Sequence, residues 1–479
     1  MGYSQFLNMM PEAILVLMLL IVFFTDFCLH HSERKVEIVG RMTMTLLIYQ
    51  TVMLTTTGPA EAFGGMYVAS QAAQVMKVIL TFGTFIVVVM AQPWLENEAR
   101  KYAGEFHLLV LSTLLGMYIM MSSGSFLLFF LGLETASVPM ACLVAFDKWK
   151  KKSAEAAAKY VLVATFSSGV MLYGISFIYA ATGTLYFDDI AAVLNHSYLA
   201  SPLSIMGLVF FFSGLAFKLS LVPFHFWTAD TYEGAPTPVT GYLSVCSKGA
   251  AAFAALVILA KAFGPMIDYW EYMLYVVIVL SITIANLFAI RQSELKRFMA
   301  FSSISQAGYI MLAVIGGSQM GMTSLMYYVL VYIVANMAVF TVISAVEQKC
   351  GTTDMSSYDG LYQTNPKLTF LMTLALFSLA GIPPFAGMFS KFFVFMAAAE
   401  EGSFWAYFVV FIALVNTVVS LYYYLLIVKA MYIKPSDNPL PTFRTESATR
   451  IALVICTAGI ALFGICSCVY DWLFVTSAF

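Results

Sequence analysis

Apolar stretches of about 20 residues recur along the whole sequence, and this is the length that one helix needs to cross the hydrocarbon core of a bilayer. We identify such stretches beginning near residues 11, 38, 74, 105, 125, 155, 203, 240, 268, 298, 323, 367, 403 and 450. Helices are favoured there because they satisfy their own peptide groups where water is absent. The sequence therefore predicts an all-α polytopic membrane protein with about 14 transmembrane helices, in agreement with its 61% hydrophobic and 10% charged residues.

The composition and motifs exclude several functional classes. A net charge of -2 provides no basic surface for a nucleic-acid backbone. The seven cysteines form no CxxC pair, the five histidines are scattered, and no GxxxxGK[ST] sequence is present. Iron–sulfur and haem centres need suitably placed ligands, and nucleotide phosphates are commonly held by that glycine-rich loop. We therefore expect no cofactor or metal in this chain and no ATP-driven pump.

The distribution of lysine and arginine predicts the orientation of the helices. If the amino terminus faces outward, the odd-numbered loops carry 18 of the 24 basic residues, whereas the opposite side keeps only Lys77 and Lys261. Basic residues are retained on the cytoplasmic side of membranes. The apolar run Ile14–Phe24 lacks the flanks of a signal peptide, so we expect it to remain as a span. The prediction is a multi-pass protein of the bacterial cytoplasmic (inner) membrane with both termini in the periplasm.

Four ionisable residues lie inside apolar stretches: Glu134, Lys218, Lys248 and Lys391. A charge in such a position costs about 2.5–3.5 kcal/mol on insertion scales. A lysine that snorkels to the interface or is paired for structural reasons is one interpretation, and Lys248 lies closest to a span end. Proton transfer is the other, because burial favours loss of the ammonium proton and an approaching carboxylate favours its retention. We hypothesise that Glu134 pairs with Lys218 in this way.

Prolines predict that two of these helices are discontinuous. Pro223 frees the carbonyl of Leu219 in the seventh span, and Pro383 and Pro384 free those of Leu379 and Ala380 in the twelfth. Broken helices that carry charged residues near the midplane are typical of transporters. His225 follows Lys218 by seven residues. It is interpreted either as a proton relay or as a histidine satisfied at a helix end, and both interpretations stay open.

Other polar segments have simpler interpretations. Lys159 follows Glu155 by one helical turn, which favours an ordinary ion pair. Residues 228–239, TADTYEGAPTPV, are predicted to form a rigid polar cap over the broken seventh span. Asp188 and Asp189 are predicted to lie in a surface loop. The run of tyrosines at 422–424 is interpreted as packing or as part of an interfacial belt.

Four segments together resemble a known family: FKLSLVPFHFWTADTYEGAPTPV, SVCSKGAAAF, KRFMAFSSISQAGYIM and LAGIPPFAGMFSKFFVF. They are similar to the antiporter-like membrane subunits of respiratory complex I and to their relatives in multi-subunit cation/proton antiporters. The resemblance covers nearly the whole chain. It implies two inverted five-helix repeats, at 105–265 for spans 4–8 and 266–435 for spans 9–13. Three amino-terminal helices, 1–104, and a carboxy-terminal helix, 436–479, would flank the repeats.

The resemblance also implies a role for the buried charges. Glu134, Lys218, Lys248 and Lys391 occupy the positions at which family members move protons, and Lys391 would be the exit-side relay. Quinone reduction elsewhere in a complex would drive this movement. Flavin, iron–sulfur clusters and quinone would be bound by other subunits. Neighbouring antiporter-like and small membrane subunits and the lipid bilayer would be the partners in a hetero-oligomer.

Two alternative functions remain. The same lysines would serve a subunit of a multi-subunit sodium/proton antiporter, although a sodium site favours several membrane carboxylates and only Glu134 lies well inside a span. The chain would otherwise be a scaffold subunit whose neighbours carry out transport.

Overall fold

The computed structural model describes residues 3–29, 32–196, 201–436, 439–466 and 468–477, which are almost entirely helical. The amino-terminal part contains α1 (Met10–Cys28), α2 (Lys35–Thr56) and α3 (Gln71–Asn97). A small antiparallel hairpin of β1 (Ala60–Ala62) and β2 (Tyr67–Ala69), which the sequence did not predict, connects α2 to α3. The predicted all-α membrane fold is confirmed.

The rest of the chain continues as helices joined mostly by short connections. The first group is α4 (Ala103–Met121), α5 (Phe126–Val144), α6 (Lys151–Thr182), α7 (Phe187–His196), α8 (Pro202–Leu219), α9 (Phe226–Gly234), α10 (Thr237–Tyr242) and α11 (Lys248–Lys261). The second group is α12 (Ile267–Ala289), α13 (Leu295–Leu312), α14 (Gln319–Cys350), α15 (Leu361–Thr364), α16 (Pro366–Ala380), α17 (Ala386–Ala399), α18 (Phe404–Tyr432), α19 (Ser447–Ile465) and α20 (Cys468–Thr476).

Within the described ranges, 12 helical segments are long and apolar enough to cross a membrane, and α16 and α17 are shorter apolar helices. The exact number of about 14 spans, like the division into inverted repeats, stays a prediction. Asp188 and Asp189 do not lie in a loop, because they form the first turn of α7. Acidic residues are favourable at that end of a helix, which explains the difference.

Serine side chains begin many of these helices. Each of them accepts a hydrogen bond from a backbone N–H of the first helical turn, a group that has no partner within the helix. The capping residues are Ser70, Ser125, Ser201, Ser318 and Ser403. The helices therefore begin where apolar runs follow a serine, close to the starts predicted from hydropathy.

The interior of the bundle is formed by α3, α14 and the α10–α11 segment, whose apolar windows are almost wholly buried. Helices α6 and α18 instead present most of their apolar residues outward. Close crossings use glycine: a Cβ added to Gly116 of α4 would lie 2.2 Å from the backbone nitrogen of Ala136 in α5. Lys218, Lys248 and Lys391 are buried within the bundle, each with at most 4% of its surface exposed.

Candidate functional site

Lys218 lies at the end of α8, where the seventh span breaks. The helix ends at Leu219, Ser220 adopts the left-handed conformation, and α9 begins at Phe226. The predicted discontinuity is confirmed. The side chain of Lys218 is buried, and its Nζ donates a hydrogen bond to Ser137 Oγ of α5 at 2.8 Å. The hydroxyl of Tyr160 in α6 lies 3.5 Å from the same nitrogen.

Glu134 is half-buried on α5 and accepts a hydrogen bond from the hydroxyl of Ser168 in α6. The hypothesised direct pair with Lys218 is wrong for this conformation, because no ion pair joins the two among the residues that the structure describes. Ser137, the partner of Lys218, lies three residues after Glu134, so one helical turn separates the carboxylate from the hydroxyl. Sequence spacing alone was unable to show which side chain the lysine selects.

Lys248 follows a π-helical turn, Leu243–Ser247, that interrupts the eighth span. Only 1% of its surface is exposed, so the snorkelling interpretation is wrong. Its Nζ donates a hydrogen bond to Ser303 Oγ of α13 at 2.7 Å. The π turn is held by Asn336 of α14, whose Nδ2 donates to Ser244 Oγ at 2.6 Å. Single π turns inside helices occur frequently at functional sites.

Lys391 is buried near the start of α17, beyond the break in the twelfth span. Its Nζ donates a hydrogen bond to the carbonyl oxygen of Ala380, the last residue of α16, at 3.0 Å. The carbonyl of Leu379 accepts a hydrogen bond from Gln306 Nε2 at 3.3 Å. These are the two carbonyls that Pro383 and Pro384 were predicted to free, so the prediction is confirmed.

A row of polar side chains on α13 runs between Lys248 and Lys391, and the sequence reasoning did not select it. Ser303 is the partner of Lys248, and Gln306, one turn further, accepts a hydrogen bond from the hydroxyl of Tyr328. Gln306 and Lys391 line one small cavity. Polar residues within an otherwise apolar span were the available signal. One end of the row is thus hydrogen-bonded to Lys248, and the other lies beside Lys391.

Tyr424 of α18 joins this row by hydrogen bonds with Ser302 and Gln306. Its side chain is fully buried, whereas Tyr422 is 55% exposed. Tyr424 thus packs in the interior, against Phe298 and Tyr423, and its hydroxyl also takes part in the polar row. Three consecutive residues on a helix point in different directions, and the sequence did not show which one faces the interior.

His225 lies in the break between α8 and α9, directly before Phe226. It is 7% exposed, and its Nδ1 has no hydrogen-bond partner among the described residues. Its ring packs against Phe226 with centroids 4.5 Å apart. The structure does not bring His225 within hydrogen-bonding distance of Lys218. A relay role for His225 stays a prediction.

The predicted polar cap is an ion-pair network that joins α6, α9 and α13. Arg297 Nη1 lies 2.7 Å from Asp230 and 2.8 Å from Glu233. Lys159 contacts Asp230 at 2.6 Å and Lys152 contacts Glu233 at 2.8 Å. The predicted pair of Lys159 with Glu155 is also present, at 2.6 Å. The network fixes α9, and with it the broken end of the seventh span.

Asp230 and Glu233 lie outside the candidate membrane spans. Burial disfavours the charged form of Asp230, but hydrogen bonds from Lys159 and Arg297 outweigh it and hold the pKa below its ordinary value. Burial likewise disfavours the charged form of Glu233, but hydrogen bonds from Lys152 and Arg297 outweigh it and lower the pKa. Both carboxylates therefore stay ionised at neutral pH.

Lys77 was counted among the charges of the outward side, and its burial was not predicted. It lies inside α3 with no exposed surface and forms an ion pair with Glu12 of α1 at 2.7 Å. The predicted span start near residue 74 had left Lys77 within the first turn, whereas α3 begins at Gln71 and places it in the second. A carboxylate on a distant helix supplies the partner that the sequence around Lys77 lacks.

Comparison with known proteins identifies the family. Residues 123–419, more than half of the chain, match the family described as NADH:quinone oxidoreductase/Mrp antiporter, transmembrane. The chain belongs to this family. The match includes Glu134, Lys218, Lys248 and Lys391, and it confirms the resemblance found in the sequence.

Similar proteins agree over nearly the full length. NADH-quinone oxidoreductase subunit N of Phocaeicola vulgatus is 59% identical over 477 residues, which cover 99% of each chain. The subunit N of Azobacteroides pseudotrichonymphae is 50% identical over 477 residues, 99% of this chain and 98% of that protein. A chain of respiratory complex I from Thermus thermophilus has a TM-score of 0.79 at 32% identity and covers 95% of this chain and 97% of its own.

A chain of the Mrp complex from Dietzia sp. has a TM-score of 0.85 over 98% of this chain and 97% of its own, at 20% identity. At that identity the likeness concerns the fold alone. The fold is therefore shared between complex I and Mrp assemblies, and the choice between these functions depends on the site and on the closer relatives.

Proposed function

We propose that this chain is the proton-translocating membrane subunit N of an NADH-quinone oxidoreductase. It is a non-redox part of a translocase whose flavin, iron–sulfur clusters and quinone site belong to other subunits. One observation carries this proposal. Lys218, Lys248 and Lys391 are all buried, and their hydrogen-bond acceptors are the hydroxyls of two serines and one tyrosine and one carbonyl.

Neutral acceptors bind an ammonium group without fixing its charge. A carboxylate partner favours the charged form of a buried lysine, whereas a lysine held by hydroxyl or carbonyl oxygen loses its proton more readily when its surroundings change. None of the three lysines takes part in an ion pair among the described residues. They are therefore suited to take up and release protons.

In this proposal the three lysines belong to one buried pathway of proton transfer. Glu134 lies one turn from Ser137, and its movement toward or away from this hydroxyl changes the electrostatic potential at Lys218. Lys248 passes its proton through Ser303 to the polar side chains of α13. Gln306, in the same row, lines a small cavity together with Lys391. Quinone reduction elsewhere in the complex drives the sequence of charge changes. Lys391 is the exit-side relay.

The apolar outer surface of the bundle supports a position of this chain within a larger membrane complex. Helices α6 and α18 expose apolar side chains that contact lipid or the neighbouring antiporter-like and small membrane subunits. Both termini lie in the periplasm, since the basic loops are retained in the cytoplasm. The runner-up function is a subunit of a sodium/proton antiporter, and the shared fold of the Mrp chain is the observation that favours it.

The test begins with the assembly. A tag on this chain, purification in mild detergent and mass spectrometry of the associated proteins should recover quinone-reducing and iron–sulfur subunits. Recovery of other small membrane subunits alone would favour the antiporter function.

The second step concerns Lys218. Lys218→Ala should lower proton pumping and the coupled quinone reductase rate while the complex still assembles. Lys367→Ala is the matched control, because Lys367 is an exposed lysine in the first turn of α16. Normal pumping by Lys218→Ala would contradict the relay and favour a scaffold role.

A further inference from the structure

The three amino-terminal helices contain a buried ion pair that lies outside the matched residues 123–419. Lys77 Nζ of α3 is 2.7 Å from Glu12 Oε1 of α1, with side chains 0% and 4% exposed. The hydroxyl of Tyr67 donates to Glu12 Oε2 at 2.9 Å and lies 3.2 Å from Lys77 Nζ. The proton-bearing groups of all three side chains are therefore in mutual contact.

This pair lies close to the face of the bundle at which the amino terminus lies. Glu12 is in the first turn of α1, and Lys77 is in the second turn of α3. The hairpin that carries Tyr67 covers them, and Asn8 Nδ2 fastens it by a hydrogen bond to the carbonyl of Glu61 at 2.6 Å. Both residues therefore lie within two turns of the first residue of their α-helices.

A row of hydroxyl groups leads from Lys77 toward the centre of the bundle. Thr81 and Thr84 follow Lys77 by four and seven residues, so all three share one face of α3. The hydroxyls of Thr81 and Tyr118 are hydrogen-bonded to each other. Further along, Tyr242 lies beside Thr84, and its hydroxyl donates a hydrogen bond to the carbonyl oxygen of Val110 in α4 at 3.2 Å.

Tyr242 is the last residue of α10 and directly precedes the π turn that leads to Lys248. Helix α3 also contacts this turn, where a Cβ added to Gly83 would meet Cys246 Sγ at 2.7 Å. The hydroxyls of Thr81, Thr84 and Tyr242 therefore lie between the Glu12–Lys77 pair and the interrupted eighth span.

A purely structural role does not account for this arrangement. Removing a carboxylate and a lysine from water is costly, and apolar residues of similar volume often stabilise such a position equally well or better. The pair also lies beside hydroxyl groups, since Lys77 Nζ is 5.4 Å from the ring centroid of Tyr118, whose hydroxyl is hydrogen-bonded to that of Thr81.

We propose that Glu12 and Lys77 form a further proton-exchanging site, which the hydroxyls of Thr81, Tyr118, Thr84 and Tyr242 connect to the eighth span. The proposal rests on the proposed proton-translocating function. Transfer of one proton from the Lys77 ammonium to the Glu12 carboxylate breaks an N–H bond, forms an O–H bond and leaves two neutral groups. The amine then accepts a proton that arrives along the hydroxyls, and the acid releases its proton to the nearby membrane face.

The test uses the whole complex reconstituted in vesicles, with the number of protons pumped per electron as the readout. The variant Glu12→Gln/Lys77→Met removes both charges together, so neither partner is left as an unpaired buried charge. The matched control is Asp26→Asn/Lys35→Met. It neutralises an ion pair of 2.8 Å at the opposite end of α1.

The proposal expects normal assembly of both double variants and a loss of pumped protons per electron in the first alone. Tyr118→Phe, which removes one hydroxyl and no charge, should cause a smaller loss of the same kind. Normal pumping by Glu12→Gln/Lys77→Met would overturn the proposal and assign the pair a structural role.

If that double variant fails to assemble, Lys77→Arg decides the question. Arginine keeps the ion pair but does not release its proton. An assembled Lys77→Arg complex should pump fewer protons, and normal pumping would overturn the proposal. Lys218→Ala, measured beside these variants, tests the proposed function separately. Reduced pumping by Lys218→Ala together with normal pumping by the pair variants refutes only the present inference.

Discussion

The ion-pair network around Arg297 is expected to hold α9 in place below the break in the seventh span. Arg297→Gln removes the guanidinium that Asp230 and Glu233 share, at 2.7 and 2.8 Å. Each carboxylate keeps one lysine partner. The change therefore weakens the link between α13 and α9 while the links between α6 and α9 remain.

The magnitude follows from the exposure of the three side chains. Arg297 is 32% exposed, Asp230 33% and Glu233 22%, so water and salt screen both contacts. Exposed ion pairs contribute about 0.2–1 kcal/mol each, and a network of several charges lies toward the upper end. We expect Arg297→Gln to lower the free energy of unfolding by about 1–2 kcal/mol at low salt. The loss should be smaller at high salt, because the Debye length shortens to about 3 Å at 1 M.

The assay is unfolding of the purified full chain in mild detergent by increasing dodecyl sulfate, followed by tryptophan fluorescence. Trp227 of α9 is buried, and its Nε1 donates to the Phe217 carbonyl at 3.2 Å, so it reports on the segment concerned. Arg41→Gln is the matched control, since its ion pair with Glu37 at 2.6 Å is much more exposed. Equal losses in the two variants, or a loss at Arg297 that does not respond to salt, would refute the reasoning.

Two further predictions concern stability. Because Asp230 has a lowered pKa in the folded chain, the stability that it contributes is fully present above its unfolded pKa of about 3.9 and is lost as the pH falls through the lower folded value. The difference in unfolding free energy between the wild-type chain and Asp230→Asn should therefore be constant near neutral pH and shrink below about pH 4, and a difference that grows on acidification would contradict this. Gly387→Ala should prevent α17 from packing against α16, because the new Cβ would lie 1.6 Å from the Ser378 carbonyl oxygen. Gly169→Ala is the control and should assemble normally, because no atom lies within 4 Å of its new Cβ. Equal yields of the two variants in membranes would contradict this prediction.

Hydropathy and proline placement were sufficient to predict most of the fold. Apolar runs of membrane-spanning length have few alternatives to a helix, and their predicted starts lie close to those observed. The breaks at Pro223 and at Pro383 and Pro384 were also predictable, because proline removes a specific backbone hydrogen bond. The same rule predicts that the Ala380 carbonyl is free, and the structure shows that this carbonyl accepts the hydrogen bond of Lys391.

The partners of the other lysines were not predictable in this way. Lys218 selects Ser137 and Lys248 selects Ser303, and both choices depend on how distant helices pack. No characteristic sequence pattern marks the π turn before Lys248, so only the structure reveals it. Lys77 shows the same limitation, since its partner Glu12 lies 65 residues away.

The central claim is that the buried lysines exchange protons during turnover, and Lys391→Arg tests it most directly. Arginine keeps the positive charge and can donate to the Ala380 carbonyl, but it does not release a proton at physiological pH. The measurement is the number of protons pumped per NADH oxidised by the assembled complex in vesicles, with Lys367→Arg as the control. A marked loss for Lys391→Arg beside a normal control is the predicted result, and an unchanged ratio in the assembled Lys391→Arg complex would contradict proton exchange at this residue.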